Sequence, residues 1–180
     1  MLTDLFKTEE RVKILRYVMF RNAFSVAEVS RATGVTKGLV SRYLRYLMVL
    51  GLLQKKGRAY SPLDGAHSRT IKILLNLEKI NLSALTLDFA KSLGLYGSWA
   101  SGTNNEDSDL DVWIRADSLP PESELARLQM ELSQQAGVET NLLVLTPEKL
   151  ERLKRDDSPF YNSLVMNSVT LEGETLEDYR

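Results

Sequence analysis

Apolar residues recur at helical spacing through the first eighty positions and gather into short β-prone runs over much of the last hundred. Val12, Leu15, Val18 and Met19 share one face of a stretch from Thr8 to Phe20, with Thr8 as candidate cap and Glu9 and Glu10 in the first turn. Ser25-Val26-Ala27-Glu28 has the capping-box pattern and opens a short helix with Val26, Val29 and Ala32 inward, ended by Gly34. Thr36 is placed to cap a longer helix to about Leu50, along which Leu39, Val40, Tyr43, Leu44, Leu47 and Met48 repeat at helical spacing; Tyr43 belongs to the core on this count. Two short strands are expected at Gly51–Gln54 and Ala59–Pro62, around the basic turn Lys55-Lys56-Gly57-Arg58.

Ser68 to Ile80 predicts a connecting helix, with His67 in the loop that enters it and Asn81-Leu82-Ser83 as the boundary. Leu85 to Ala90 fits a short helix or a strand. Leu95-Tyr96 and Val112-Trp113-Ile114 bracket small and acidic residues, which predicts strand, glycine turn, and a second strand carrying Asp109 and Asp111. A helix follows from about Glu122 to Gln135, with Leu125, Leu128, Met130 and Leu132 as packing positions, and Gly137 ends it. Val138–Leu145 reads as a third strand, and Thr146-Pro147-Glu148 as a capped helix start with proline at its first position. A helix around Pro159 to Asn167 and a last strand, Val169 to Leu171, complete an α+β chain of two domains, 1–80 and 81–180.

Charge sharpens that division. Residues 1–80 hold 15 Lys and Arg against 6 Asp and Glu, a balance of +9, whereas residues 81–180 stand at −10. A basic half suits nucleic acid, and an acidic half suits cation-dependent chemistry. Two helices joined by a short glycine turn form the helix-turn-helix arrangement, whose second helix enters the DNA major groove. Lys37, Ser41, Arg42 and Arg45 on that helix, with Lys55, Lys56 and Arg58 on the hairpin, are therefore candidate DNA contacts. Residues 5–62 resemble the winged helix-turn-helix domains of bacterial and archaeal regulators. Such domains bind DNA, and they also serve as dimerisation or protein-docking modules, so a homodimer is a second expectation.

The chain has no cysteine, which excludes disulfides, thiolate zinc sites and thiol nucleophiles, and its single histidine excludes clustered-histidine metal chemistry. No apolar run reaches the roughly 20 residues needed to cross a bilayer, and the first ten residues lack a basic segment followed by an apolar one. A cytoplasmic protein without a membrane partner is expected.

Residues two apart on a strand point to the same side, about 6.6 Å along it, so Asp109 and Asp111 can converge on a divalent cation. Ahead of them Gly97, Ser98, Ala100 and Gly102 are small enough for main-chain N–H groups to approach a phosphate, and Ser98 adds a hydroxyl. Gly97-Ser98-x-Ala100-x-Gly102 followed by Ser108-Asp109-x-Asp111 resembles the signature of the DNA polymerase beta nucleotidyltransferase superfamily, in particular its minimal nucleotidyltransferases. The resemblance implies transfer of a nucleoside monophosphate from a nucleoside triphosphate, ATP among the candidates, to an acceptor hydroxyl. It implies magnesium or manganese ions on Asp109 and Asp111, with Gly97, Ser98, Gly102 and Ser108 around the nucleotide. Minimal nucleotidyltransferases are often antitoxins that modify a small helical toxin protein, which makes such a toxin a candidate acceptor.

The family also places a third carboxylate on a later strand. The position aligned with it here is Asn141, while Glu139 stands two residues earlier. Either Glu139 reaches in as the third catalytic acid, or a neutral amide stands in its place and the chain is a DNA-binding regulator with a degenerate, nucleotide-binding domain.

Overall fold

A computed structural model describes residues 2–176, apart from the side chain of Leu2. The chain divides into two compact units, Met1–Leu75 with Asn104–Glu106, and Asn76–Thr103 with Asp107–Arg180.

The first unit runs through α1 (Leu2–Leu5), α2 (Glu9–Val18), α3 (Val26–Thr33), α4 (Lys37–Val49), β1 (Leu53–Lys56), β2 (Ala59–Pro62) and most of α5 (Ala66–Leu77). Ser25 and Glu28 form the expected capping box, and Gly34 closes α3 at φ 71°, a left-handed conformation that side chains other than glycine resist. Ile14, Leu15, Val18, Val29, Val40, Leu44 and Leu47 fill the core, each with no exposed surface. Tyr43 joins them, its hydroxyl donating to the Leu5 carbonyl oxygen at 2.7 Å. Phe24 exchanges main-chain hydrogen bonds with Tyr60 at 2.9 and 2.8 Å, and their rings stack, which fastens the hairpin to the helices.

Four expectations change here. Ala32, expected inward on α3, is exposed, and Val29 is the buried residue of that helix. Thr36 stands at the start of α4 but makes no side-chain cap. The first hairpin strand begins at Leu53, not Gly51, because Gly51 (φ 69°) and Leu52 are used to end α4: their N–H groups donate to the carbonyls of Met48 and Leu47, both at 3.0 Å. Lys55 and Lys56 consequently lie on β1, and the turn is Gly57-Arg58. His67 is on α5, not in a loop, since Asp64 accepts from Arg69 at 2.8 and 2.6 Å across the first turn and so holds the helix start at Ala66.

In the second unit Leu82–Ala84 make a 3-10 turn, and Leu85 to Ala90 form neither regular helix nor strand. There follow β3 (Ser92–Tyr96), α6 (Gly97–Ser101), β4 (Leu110–Arg115), α7 (Glu122–Ala136), β5 (Thr140–Leu145), α8 (Pro147–Asp156), α9 (Ser158–Asn167) and β6 (Val169–Glu172). The strands make one mixed sheet in the order β5-β4-β3-β6, with β4 and β5 parallel and the other pairs antiparallel. Thr146 caps α8 by accepting from Lys149 N–H, with Pro147 at the first position as expected.

Alternation along β4 sends Leu110, Val112 and Ile114 into one core with Leu128 and Leu132 of α7, and Trp113 into another with Leu150 and Leu164 of α8 and α9. Asp111 shares a strand face with Trp113. Met130 is 55% exposed, not packed. Leu128, Leu132 and Ala136 set the buried line of α7 at intervals of four, and a residue two away from both leucines points to the other side.

Candidate functional site

At the end of β3 the chain turns at Gly97 (φ 66°), makes the single helical turn α6, and leaves it at Gly102 (φ 67°). The expected glycine turn is thus a short helix between two left-handed glycines. It is held from inside. Trp99 and Ala100 are buried, the Asn76 amide donates to the Trp99 carbonyl oxygen at 2.9 Å, and the Trp99 indole N–H reaches the Ser108 carbonyl oxygen at 3.4 Å. Thr103 N–H donates to the Ser98 carbonyl at 3.0 Å, and Ser101 Oγ donates to that of Gly97 at 3.0 Å. The bulky residue between Ser98 and Ala100 is therefore an anchor that fixes the small ones around it.

Gly97 is required on two counts. Its φ is left-handed, and a Cβ there would lie 2.5 Å from Asp111 Oδ2. Tyr96 pairs with Asp111 across β3 and β4, which is what brings the carboxylate against the glycine main chain. Asp109 is exposed and precedes β4 directly, whereas Asp111 is half-buried within it. Burial first, then the charge of Asp111, raises the pKa of the Tyr96 hydroxyl.

Asn141 is the register partner of Asp111 in the parallel pair, and its Nδ2 donates to Asp111 Oδ1 at 3.2 Å. Glu139 lies outside β5 and is exposed, its carbonyl oxygen accepting from Leu110 N–H at 2.8 Å. Among the described residues no three His, Cys, Asp or Glu side chains come together as a metal-binding group. Glu139 therefore adds no third carboxylate to Asp109 and Asp111 there. Gly102 is buried, and the Ser108 main chain is engaged by Trp99, so both shape the loop that delivers Asp109.

Beside Gly97 and Ser98 opens a cavity of about 460 Å³, whose far wall is Phe160, Ser163 and Asn167 of α9. Phe160 meets Tyr96 edge-on at 6.5 Å between ring centres, and Asn167 Nδ2 donates to the Ser163 carbonyl oxygen at 3.0 Å. Nothing in the motif announces these residues. Their one signal is spacing, since positions 160, 163 and 167 fall on one face of a helix.

In the first unit Lys37, Arg42 and Arg45 are exposed on α4 and Ser41 is half-buried; Lys37, Ser41 and Arg45 follow one another at intervals of four along one face. Lys55, Lys56 and Arg58 are exposed on the hairpin, with Lys55 Nζ 5.2 Å from the centre of the Tyr60 ring.

Comparison with known proteins agrees with this division. Residues 76–167 match the family described as nucleotidyltransferase domain, and residues 8–55 the family described as bacterial regulatory protein, arsR family. No curated protein matches the chain. Among solved structures, a toxin–antitoxin with AMP-PNP is 19% identical, covering 60% of this chain and 76% of that one, at a TM-score of 0.38. A mutant of the toxin–antitoxin MntA–HpeT is 16% identical over 63% of this chain and 78% of that one, at a TM-score of 0.39. A tri-AMPylated Shewanella oneidensis HEPN toxin in complex with MNT antitoxin is 14% identical over 59% and 73%, at a TM-score of 0.33.

Proposed function

Because the chain belongs to the nucleotidyltransferase domain family, we propose that the second unit binds a nucleoside triphosphate with a divalent cation and transfers its nucleoside monophosphate to a hydroxyl on protein or nucleic acid. A phosphoester bond forms as the α–β phosphoanhydride breaks, and pyrophosphate leaves with the hydroxyl proton passing to solvent. The observation that carries this reading is the close approach of the Asp111 carboxylate to the left-handed Gly97, with Asp109 exposed two residues earlier, just before β4 begins. Two carboxylates beside an open main chain are the donor set that a hard cation such as magnesium or manganese takes. Bound there, it would draw charge from the phosphate oxygens and favour displacement at phosphorus.

Gly97 and Ser98 hold the phosphates in this reading, and the buried Trp99 keeps that turn from yielding as the substrate binds. Asp109 and Asp111 hold the cation. The cavity walled by Phe160, Ser163 and Asn167 offers an aromatic face and neutral hydrogen-bonding groups, which suit base and sugar better than triphosphate. Minimal nucleotidyltransferases, which the motif resembles, make a small helical toxin one candidate acceptor.

The first unit supplies DNA binding through α4 and the hairpin, consistent with its match to a family of regulatory proteins and its exposed cations. The bond from Asn141 to Asp111 favours a second reading, a DNA-binding regulator whose nucleotide site turns over slowly or not at all.

The test is incubation of the full chain with magnesium and each α-labelled nucleoside triphosphate, in the presence of protein and RNA acceptors. Transfer is expected from the native chain and its loss from Asp109→Asn. Absence of label with all four nucleotides, or equal label from the variant, would sink the transferase reading; nucleotide binding without transfer would support the regulator.

A further inference from the structure

We infer that Asn141 makes this a one-cation site: the triphosphate enters with a single divalent ion, and no second ion is held on the acceptor side. The inference rests on the nucleotide reading of the site and adds the number of ions it takes.

Asp111 and Asn141 are register partners on neighbouring parallel strands, so their side chains project from the same face of the sheet. At that position the amide does not present its oxygen to the carboxylate. Its Nδ2 donates to Asp111 Oδ1 at 3.2 Å, so an amide N–H with partial positive charge stands on the flank of Asp111 that faces β5. A cation approaching Oδ1 from that flank has to displace this hydrogen bond, and the amide then offers it a neutral oxygen in place of a carboxylate. Oδ2 is directed elsewhere, toward the Gly97 main chain, where the phosphates are proposed to lie.

A second dication would also have to withstand repulsion from the first, which requires additional negative ligands. The structure supplies none on that side. Glu139 is exposed and outside β5, and among the described residues no third carboxylate joins Asp109 and Asp111. Ser98 and Ser108 bring hydroxyls, which are neutral. The donor set is thus sufficient for one ion shared with the triphosphate and deficient for two.

Transfer under this arrangement proceeds with an acceptor hydroxyl that no metal polarises, so the native chain is slow. Asn141→Asp, which keeps the size of the side chain at an exposed position, converts the blocking donor into the missing ligand.

Manganese binding to the full chain, counted by electron paramagnetic resonance, tests this with saturating α,β-methylene analogues of ATP, CTP, GTP and UTP in turn. These analogues cannot release the nucleoside monophosphate, so the count is independent of turnover. One manganese per chain is expected for the native protein and for Asn141→Leu, which removes the donor without adding charge, and two for Asn141→Asp. Thermal melts provide a folding check and a second readout. Without metal the new carboxylate beside Asp111 lowers the melting temperature, and saturating manganese with nucleotide raises it more than in the native chain. Two ions in the native chain, or one ion in all three proteins, overturns the inference while leaving the nucleotide site in place. Absence of nucleotide-dependent manganese from every protein overturns the nucleotide reading and this inference with it.

Discussion

Gly97→Ala separates the structural cost of a side chain at this glycine from its cost to the site. A left-handed conformation disfavours an L-residue by about 1–2 kcal/mol. Gly97 adopts φ +66° and Gly137, at the end of α7 in the same unit, φ +75°, but a Cβ at Gly137 meets nothing within 4 Å. Gly137→Ala therefore reports the backbone cost alone. At Gly97 the added carbon lies 2.5 Å from Asp111 Oδ2, where ordinary contact begins near 3.4 Å, so the carboxylate must retreat by about 0.9 Å. It must also disturb the 3.2 Å bond from Asn141. Misplacing a reacting or ligating group by about 1 Å costs on the order of 10²-fold in rate. Urea melts of both variants are expected to show losses of about 1–2 kcal/mol, whereas transfer, and manganese-dependent nucleotide affinity, should fall on the order of 10²-fold only in Gly97→Ala. If both variants lose stability alike and both keep native transfer, the close approach of Gly97 to Asp111 has no functional meaning.

Other substitutions probe parts of the chain that work separately. Changing Lys37, Arg42 or Lys56 to Ala should weaken duplex DNA binding and lower the salt dependence by roughly one phosphate contact each, measured by fluorescence anisotropy across salt concentrations; binding indifferent to all three would leave the first unit as a dimerisation or docking module. Ser25→Ala removes one half of the capping box at α3 and should cost about 1 kcal/mol in a urea melt. Tyr43 gives a pH dependence. Burial raises its phenol pKa in the folded protein above the ordinary value of about 10, so the folded state keeps a proton that the unfolded state releases. Stability from this group is complete below about pH 10 and is lost as pH rises beyond it. Tyr43→Phe should flatten that alkaline loss while removing the hydrogen bond to the Leu5 carbonyl, at about 1 kcal/mol.

Local chemistry was legible where a few neighbouring residues decide the outcome. Ser25 and Glu28 announce their capping box, Gly34 the helix end, and Thr146-Pro147 the start of α8. Spacing predicts one strand carrying both Asp109 and Asp111, but β4 begins at Leu110, so only Asp111 lies on it and Asp109 stands in the loop before it. Long-range pairing was not legible in the same way. The bond from Asn141 to Asp111 exists because β5 lies parallel to β4 in one register, a relation between residues thirty positions apart. The wall of Phe160, Ser163 and Asn167 depends on where α9 settles against α6. Hairpin strand β1 moved because Gly51 and Leu52 carry the hydrogen bonds that end α4, a competition between helix cap and strand that β propensity does not weigh. Met130 is apolar yet exposed, since the leucines around it had already set the inward line of α7.

Anomalous diffraction from a crystal of the full chain, soaked with manganese and the α,β-methylene analogue of the nucleotide it binds, locates cation and triphosphate together. The proposed site places manganese between Asp109 and Asp111, with the phosphates against Gly97 and Ser98 and the base beside Phe160. Manganese bound away from both aspartates, or a triphosphate lying outside the Gly97–Ser98 turn, would contradict it.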